Sequence, residues 1–504
     1  MKYNNLKIFA IAVSVLLMTA CGKDFLELQP IGTKLENNFY KTEKEVFEGL
    51  VAVYDVLQWG GTNGWTMKLG LMNTASDDCH AGGSDASDQP AWVAWDNFTL
   101  DPNLGPQRGL WNKSYAGIYR ANLILEKMQN TNIEGLTEDK RARYTAEAKF
   151  LRAYFYFDLV RLFGNVPLIT NSLGADVLYS QTQSPPSVIY AQIEKDLKDA
   201  IATAQFPETV IPEELGRITK GAARAMLGKV ILFQNNNSRM AEAANTLESV
   251  ITSNLYRLEA NYADIFKPTN KFGVESVLEI VHSGIQRGGW ENFNNFTEGN
   301  YSVQFFGIRD FVGAEFASGW GFCPVSEDLY NFMKTDPRFA HTIVDGKALR
   351  TQGATFSTGF QNTDYFIRKY APLQVVRPSV GEVALNWGYN IKEIRYADVL
   401  LMAAEAFALS GNEAKARQYL NQVRSRVSLP ARNSTGAALL DDIATERRLE
   451  LATEGVRFWD LVRTSKAVSV LGSKGFRANK HEYLPIPQQE IDITQGVLKQ
   501  NQGY

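Results

Sequence analysis

The sequence predicts a mainly α protein, in which tetratricopeptide-like helical hairpins form a right-handed scaffold and long loop and short-strand insertions carry a ligand face. Three observations predict it. Apolar residues recur at three- and four-residue spacing along most of the chain, the signature of helices that bury one stripe. Two helical pairs share small and apolar residues at matched offsets. Two segments break the periodicity with Gly, Asn, Ser, Pro and aromatics. The predicted organisation is a leader over 1–20, a tether over 21–44, a helical region over 45–260 with a loop insertion at 59–109, a loop and short-strand insertion over 261–388, and a helical region over 389–504, all in one compact fold.

Element by element, Glu43 to Leu57 places Val46, Leu50, Val53, Tyr54 and Leu57 on one stripe, and Leu110 to Met128 repeats the pattern. Thr137 to Phe163 is a long helix stopped by Gly164 and Pro167, because glycine accommodates the left-handed turn that ends a helix and proline cannot continue one. Further helices are predicted over Val188–Ala204, Thr219–Gln234, Arg239–Ser253, Ile391–Ser410, Glu413–Val427 and Ala438–Thr464. In the late pair, Ala404, Phe407, Gly411, Ala416, Leu420 and Val423 fall at tetratricopeptide offsets, where small residues let antiparallel helices approach closely. Ala243, Leu247 and Val250 repeat the end of that pattern. One such hairpin cannot bury its apolar face alone, so several must stack. Val277–Val281 and Tyr365–Lys369 read as short strands.

The amino terminus adds an address. Lys2 and Lys7 precede an apolar run from Ile8 to Ala20 that is too short to span a bilayer at about 20 residues per helix, and this reads as a secretory signal. It closes on Leu17-Met18-Thr19-Ala20-Cys21, which resembles a bacterial lipobox, with Met18 where leucine is usual. Cys21 is therefore the predicted lipidation site. At about 0.8 kcal/mol per buried methylene, two or more acyl chains anchor stably. Cys79 and Cys323 remain, and whether they pair is open at this stage. A formal charge of -3 offers no basic surface for neutralising phosphates, so nucleic acid is not expected as a partner.

Residues that carry chemistry are sparse. The chain has no G-x-S-x-G elbow, no H-E-x-x-H helix and no Walker loop, and His80, His282, His341 and His481 are scattered. Asp77-Asp78-Cys79-His80, followed by Asp85 and Asp88, offers oxygen ligands of the kind calcium takes, but without EF-hand spacing; it reads as a solvated acidic loop, and no cofactor is expected apart from calcium as the alternative there. The tryptophans speak more clearly. Trp59, Trp65, Trp92, Trp95, Trp290, Trp320 and Trp387 sit in or at the edge of the two insertions. A sugar ring has an apolar C–H face and a polar rim, so a site for it needs flat aromatic rings flanked by amides and carboxylates. Trp92, Trp95 and Asn97 form one such neighbourhood, and Trp290, Asn292, Tyr301 and Trp320, with Asn294 and Asn295 between them, form the other. These are the predicted ligand-binding residues; no catalytic or metal-binding residue is predicted.

Several motifs resemble the SusD/RagB family of outer-membrane nutrient-binding lipoproteins of the Bacteroidetes. They are the start Cys21-Gly22-Lys23-Asp24-Phe25-Leu26-Glu27, the helix and exit turn from Ala146 to Pro167, the run Arg217-Ile218-Thr219-Lys220-Gly221-Ala222-Ala223, the stretch Glu446 to Arg463, Leu484-Pro485-Ile486-Pro487, and the closing Gln500-Asn501-Gln502-Gly503-Tyr504. The resemblance spans Cys21 to Tyr504. It implies a non-catalytic cell-surface protein, lipid-anchored at the outer membrane, that binds a glycan and delivers it to a SusC-like TonB-dependent transporter. The alternatives are peptides or another non-sugar nutrient as ligand, or a surface glycoside hydrolase with carboxylates too far apart in sequence to recognise. Glu147, Arg152, Glu450, Glu454 and Arg457 are assigned to the fold.

Overall fold

The computed structural model describes residues 39–60, 65–285, 288–292 and 298–504, with the backbone alone at Ala175, Asp176 and Asn292. The predicted leader over 1–20, Cys21 and residues 22–38 of the predicted tether lie outside the described residues, as do Asn294 and Asn295.

Helix α1 (Glu43–Gln58) opens on a capping box in which the Thr42 hydroxyl accepts from the Glu45 amide and the Glu45 carboxylate accepts from the Thr42 amide. Two short helices, α2 (Lys68–Thr74) and α3 (Pro90–Asp96), stand where the sequence predicts loop. Each has seven residues and no side-chain N-cap, too little local signal for a helix that burial completes. Helices α4 (Gln107–Lys127) and α5 (Glu138–Phe163) follow; α5 starts at the Thr137 cap and ends at Gly164, where φ is +67°. The two-residue strands β1 (Val166–Pro167) and β2 (Gln183–Ser184) pair antiparallel before α6 (Pro186–Ala202), α7 (Lys220–Phe233) and α8 (Met240–Ile251).

The second insertion contains β3 (Ser276–Ile280), the short helix α9 (Tyr301–Phe306) and the antiparallel pair β4 (Ile343–Asp345) and β5 (Tyr365–Ile367). Strand β6 (Ile391–Arg395) lies antiparallel to β3 and runs directly into α10 (Tyr396–Leu409), followed by α11 (Glu413–Arg426), α12 (Gly436–Leu451) and α13 (Arg457–Arg463). Two helix predictions are corrected here. Ile391–Arg395 is strand, because β-branched Ile391 and Ile394 pair with β3. The predicted helix Ala438–Thr464 is two, broken between Leu451 and Arg457, where Thr453 and Gly455 take positive φ.

The helices pack in the order α1, α4, α5, α6, α7, α8, α10, α11, α12, each against the next. The late hairpin thus continues the stack directly from α8, and the whole second insertion loops out between them. Small residues permit the close approach: a Cβ at Gly228 of α7 would run into Leu247 of α8, and one at Gly117 of α4 would run into the Phe155 ring of α5. Ala404 and Ala416 are fully buried between α10 and α11. One apolar core runs from α1 to the C-terminal residues, and a second, small one (Ile308, Phe311, Phe316, Val344, Phe356, Phe366, Ala371) belongs to the insertion.

A buried ionic lattice fastens that insertion to the scaffold. Glu450 of α12 accepts from Arg338 (2.9 Å) and Arg395 (2.5 Å), and also from Arg426. Glu446, one turn earlier, accepts from Arg338 (2.7 Å) and Arg424 (2.6 Å). Glu454 accepts from Arg395 (2.8 Å) and Lys369 (2.6 Å), and Glu275 from Arg395 (2.7 Å) and Arg426 (3.0 Å). Arg338, Lys369 and Glu275 come from the insertion, Arg395 from β6, and the rest from α11, α12 and the turn after it. Elsewhere, Glu147 accepts from the Tyr54 hydroxyl (2.6 Å) and Arg143 (3.1 Å), while Arg152 is bidentate to Asp196 of α6 (2.7 and 2.8 Å).

Two outcomes follow. Gly117→Ala should destabilise the protein by about 1–3 kcal/mol in denaturant melts, because the collision with buried Phe155 outweighs the roughly 1 kcal/mol that alanine contributes in a helix. Burial raises the Glu450 pKa, but Arg426, Arg395 and Arg338 outweigh it and hold the carboxyl well below its ordinary 4.5. A folded-state pKa below the unfolded one contributes stability that is complete above the unfolded value and is lost as pH falls toward the folded one. The melting temperature should therefore be flat from pH 7 to about 5 and fall steeply below about 4.5, as scanning calorimetry would record.

Candidate functional site

The second insertion and the first meet at a cluster of aromatic rings. Trp65 lies just before α2, Tyr301 opens α9, Phe305 follows on the same helix, and Trp320 and Trp290 come from the loops around it. The rings form tiers. At the base, buried Trp92 and Phe305 stack with centroids 5.3 Å apart, and Phe322 sits 4.6 Å from Phe305. Half-buried Trp65 and Trp320 rest on Phe305 at 5.0 and 5.1 Å. On top, Trp290 lies nearly parallel to Trp320, 6.1 Å away at 20°, with 49% of its surface exposed. Trp65 stands almost perpendicular to both, at 86° to Trp290 and 74° to Trp320, and Tyr301 meets it at 79°. The result is an aromatic corner, with one wall along Trp290 and Trp320 and the other at Trp65.

Backbone hydrogen bonds hold the corner. The Trp92 indole N–H donates to the carbonyl of Trp65 at 2.7 Å, fixing the ring above it. The Trp320 amide donates to Gln304 O (2.9 Å), and the Trp320 carbonyl accepts from Arg309 Nη1 (3.1 Å). Helix α9 is capped by Asn300, whose side-chain oxygen accepts from the Ser302 amide (3.0 Å) while its Nδ2 donates to Tyr389 O (3.1 Å). Buried Trp387 donates to Gln304 Oε1 at 3.2 Å.

Of the predicted ligand residues, Trp290, Tyr301 and Trp320 are brought together here. Trp92 and Trp95 are not surface residues, and both assignments are corrected: each is 1% exposed, and each indole N–H is taken by a carbonyl, Trp65 O for Trp92 and Leu71 O (2.8 Å) for Trp95. Trp92 serves the site from beneath, whereas Trp95 packs on Phe458 of α13. Asn97 is exposed at the end of α3, where Gly475 approaches its carbonyl, away from the corner. Asn292 ends the short turn Trp290–Asn292. Trp65 was absent from the predicted set. Its signal was its own place in a Gly- and Asn-rich loop; the misleading one was Trp92 and Trp95, whose i, i+3 spacing behind Pro90 is that of a helix face turned inward.

The acidic run is structural. Asp77 accepts from Arg457 (2.8 Å) and Arg448 (2.9 Å), and Asp78 from Arg448 (3.0 Å). Asp85 and Asp88 instead accept from Ser84 and Ser87. Among the described residues no group of three or more His, Cys, Asp or Glu is placed to hold a metal ion. Cys79 and Cys323 are both buried free thiols, pushed up by burial, Cys323 to about 12. Among the described residues no helix is long and apolar enough to cross a membrane.

Known proteins share this architecture. A family profile described as "SusD family" matches residues 330–504, and one described as "Starch-binding associating with outer membrane" matches residues 24–232. A solved structure of a "Laminarin binding SusD-like protein" is 41% identical, covers 92% of this chain and 100% of its own, and superposes with a TM-score of 0.86. The chain belongs to the SusD family. Among other SusD relatives, surface glycan-binding protein A from Bacteroides thetaiotaomicron, in complex with laminarihexaose, is 28% identical over 91% of this chain and 99% of that one, with a TM-score of 0.82. SusD-like protein P38 of Formosa agariphila is 29% identical and covers 94% of this chain and 93% of its own length. The two solved SusD-family relatives carry names of binding proteins.

The two kinds of tryptophan should respond differently to truncation. Trp92→Ala removes a core ring and should cost about 3–5 kcal/mol in denaturant melts, whereas Trp290→Ala should cost about 1 kcal/mol or less.

Proposed function

We propose that this SusD-family chain is a non-catalytic glycan-binding protein of the cell surface that takes a laminarin-type β-glucan into the corner formed by Trp290, Trp320 and Trp65. The observation that carries this reading is the half-open Trp290 ring lying nearly parallel to Trp320 and walled by Trp65. An indole face matches the apolar C–H face of a pyranose, and two or three such contacts at roughly 0.5–1.5 kcal/mol each beyond area burial, together with hydrogen bonds, give binding on the order of micromolar to millimolar. The near-right angle between the walls suits a glucan that curves, as β-1,3-linked chains do, better than a flat ribbon, which would lie on coplanar rings. The names of two relatives, one binding laminarin and one in complex with laminarihexaose, support the same ligand class.

Delivery to a SusC-like TonB-dependent transporter and a lipid anchor at Cys21 on the outer membrane belong to the same proposal. The lipobox-like sequence and the family description supply their support. Modest affinity with fast release fits such a role, since a ligand held very tightly would not be passed on.

Calorimetry with laminarihexaose tests the proposal. Trp290→Ala and Trp320→Ala should each weaken binding about tenfold, and Trp95→Phe should leave it unchanged. Unchanged affinity in both corner variants would refute the site; binding of peptides in place of glucans, or release of new reducing ends from a bound glucan, would refute the function.

A further inference from the structure

Beneath the aromatic corner lies a cavity of about 60 Å³ whose lining includes Gly60, Lys113, His282, Tyr301, Ser302 and Glu393. Its polar groups are incompletely matched. His282 is 4% exposed and neither ring nitrogen reaches full hydrogen-bond geometry, although the backbone of Glu298 and Gly299 interacts with the ring, and the hydroxyl of fully buried Ser302 has no partner. The Lys113 ammonium donates to the carbonyls of Leu57 (2.8 Å) and Trp59 (2.7 Å), which leaves its third N–H to the cavity. The carboxylates whose charge reaches it are already neutralised: Asp158 by Lys68 and Arg161, Glu393 by Lys68, and Asp55 by Arg120. Burial, and after it the charge of Lys68, bring Lys113 down to about 8 against the opposing pull of Asp158, Glu393 and Asp55. Burial and the Lys113 charge also keep His282 neutral, at about 3, so its ring has one N–H to donate.

We propose that this cavity is a binding site for one small monovalent anion of halide size, held by the Lys113 ammonium, the Ser302 hydroxyl and a ring N–H of His282. The volume exceeds the roughly 10–15 Å³ that one water requires, so a small ion can enter. Water could satisfy the hydroxyl and the imidazole but would leave the ammonium charge uncompensated in a buried site, whereas an anion gives it a charge-assisted bond. The position has a consequence. Lys113 ties down the end of α1 and the Trp59 turn that leads toward Trp65, and Ser302 adjoins Tyr301 on α9, so the anion would join the two segments that bring these rings together. In that one respect the inference rests on the proposed glycan site.

Crystals of the wild-type protein soaked in sodium bromide test it without any glycan. An anomalous bromine peak in the cavity is expected, and a cavity filled by water alone would overturn the proposal. At fixed ionic strength, chloride in place of a bulky organic anion should raise the melting temperature by about 1–2 °C. Lys113→Met and the milder Ser302→Ala should each abolish that difference; a halide effect of equal size in Ser302→Ala and wild type would count against the site. Because the bromide map does not depend on sugar binding, its failure and that of the glycan reading are separable.

Discussion

The column of carboxylates formed by Glu446, Glu450 and Glu454, at four-residue intervals along α12 and the turn after it, decides where the second insertion sits. Charges this deeply buried are expensive: the desolvation cost is several kcal/mol per ion, and apolar residues of the same volume would often stabilise as much. What the lattice supplies is direction. A guanidinium and a carboxylate satisfy each other in few geometries, so Arg338 and Lys369 of the insertion, Arg395 at the end of β6 and Arg424 and Arg426 of α11 can close on that column in essentially one arrangement. An apolar contact between the insertion and the stack could slide; this one cannot without stranding a buried charge.

That constraint reaches the aromatic corner through a short chain of contacts. The insertion is pinned by Glu275 just before β3 and by Arg338 beyond α9, and between these two points lie Trp290, Tyr301 and Trp320. From the other side, the first insertion presents Trp65 through the indole of Trp92. Two loops distant in sequence thus meet over Phe305. Because rigid packed rings lie below and a half-open ring lies above, the surface is organised before any ligand arrives, and little ordering cost remains to be met on binding.

The helical stack shows the same division between local code and distant contact. Capping residues Thr42, Thr137 and Thr219, the stop at Gly164 and the small residues of α7, α8, α10 and α11 are all readable from neighbouring positions, and the helices form where that local chemistry places them. Helices α2 and α3 are seven residues each and uncapped by side chains; only burial against the rest of the chain makes them, which is why periodicity passed over them. Ile391–Arg395 continues the apolar pattern of α10, and its partner β3 lies more than a hundred residues away, so local sequence could not reveal that it pairs as a strand.

By itself the sequence determined the helical class, the family resemblance and the clustering of tryptophan outside the long helices, since each depends on residue type and short-range spacing. Tertiary structure alone decided which tryptophans face outward. Trp92 and Trp290 have similar loop neighbourhoods in the sequence, yet one is sealed under Phe305 with its N–H on a carbonyl and the other stands half exposed above Trp320. The physical reason is that burial is a property of what packs against a side chain, and for these rings the deciding neighbours are distant in sequence: Phe305 and Phe322 over Trp92, Trp320 and Trp65 beside Trp290.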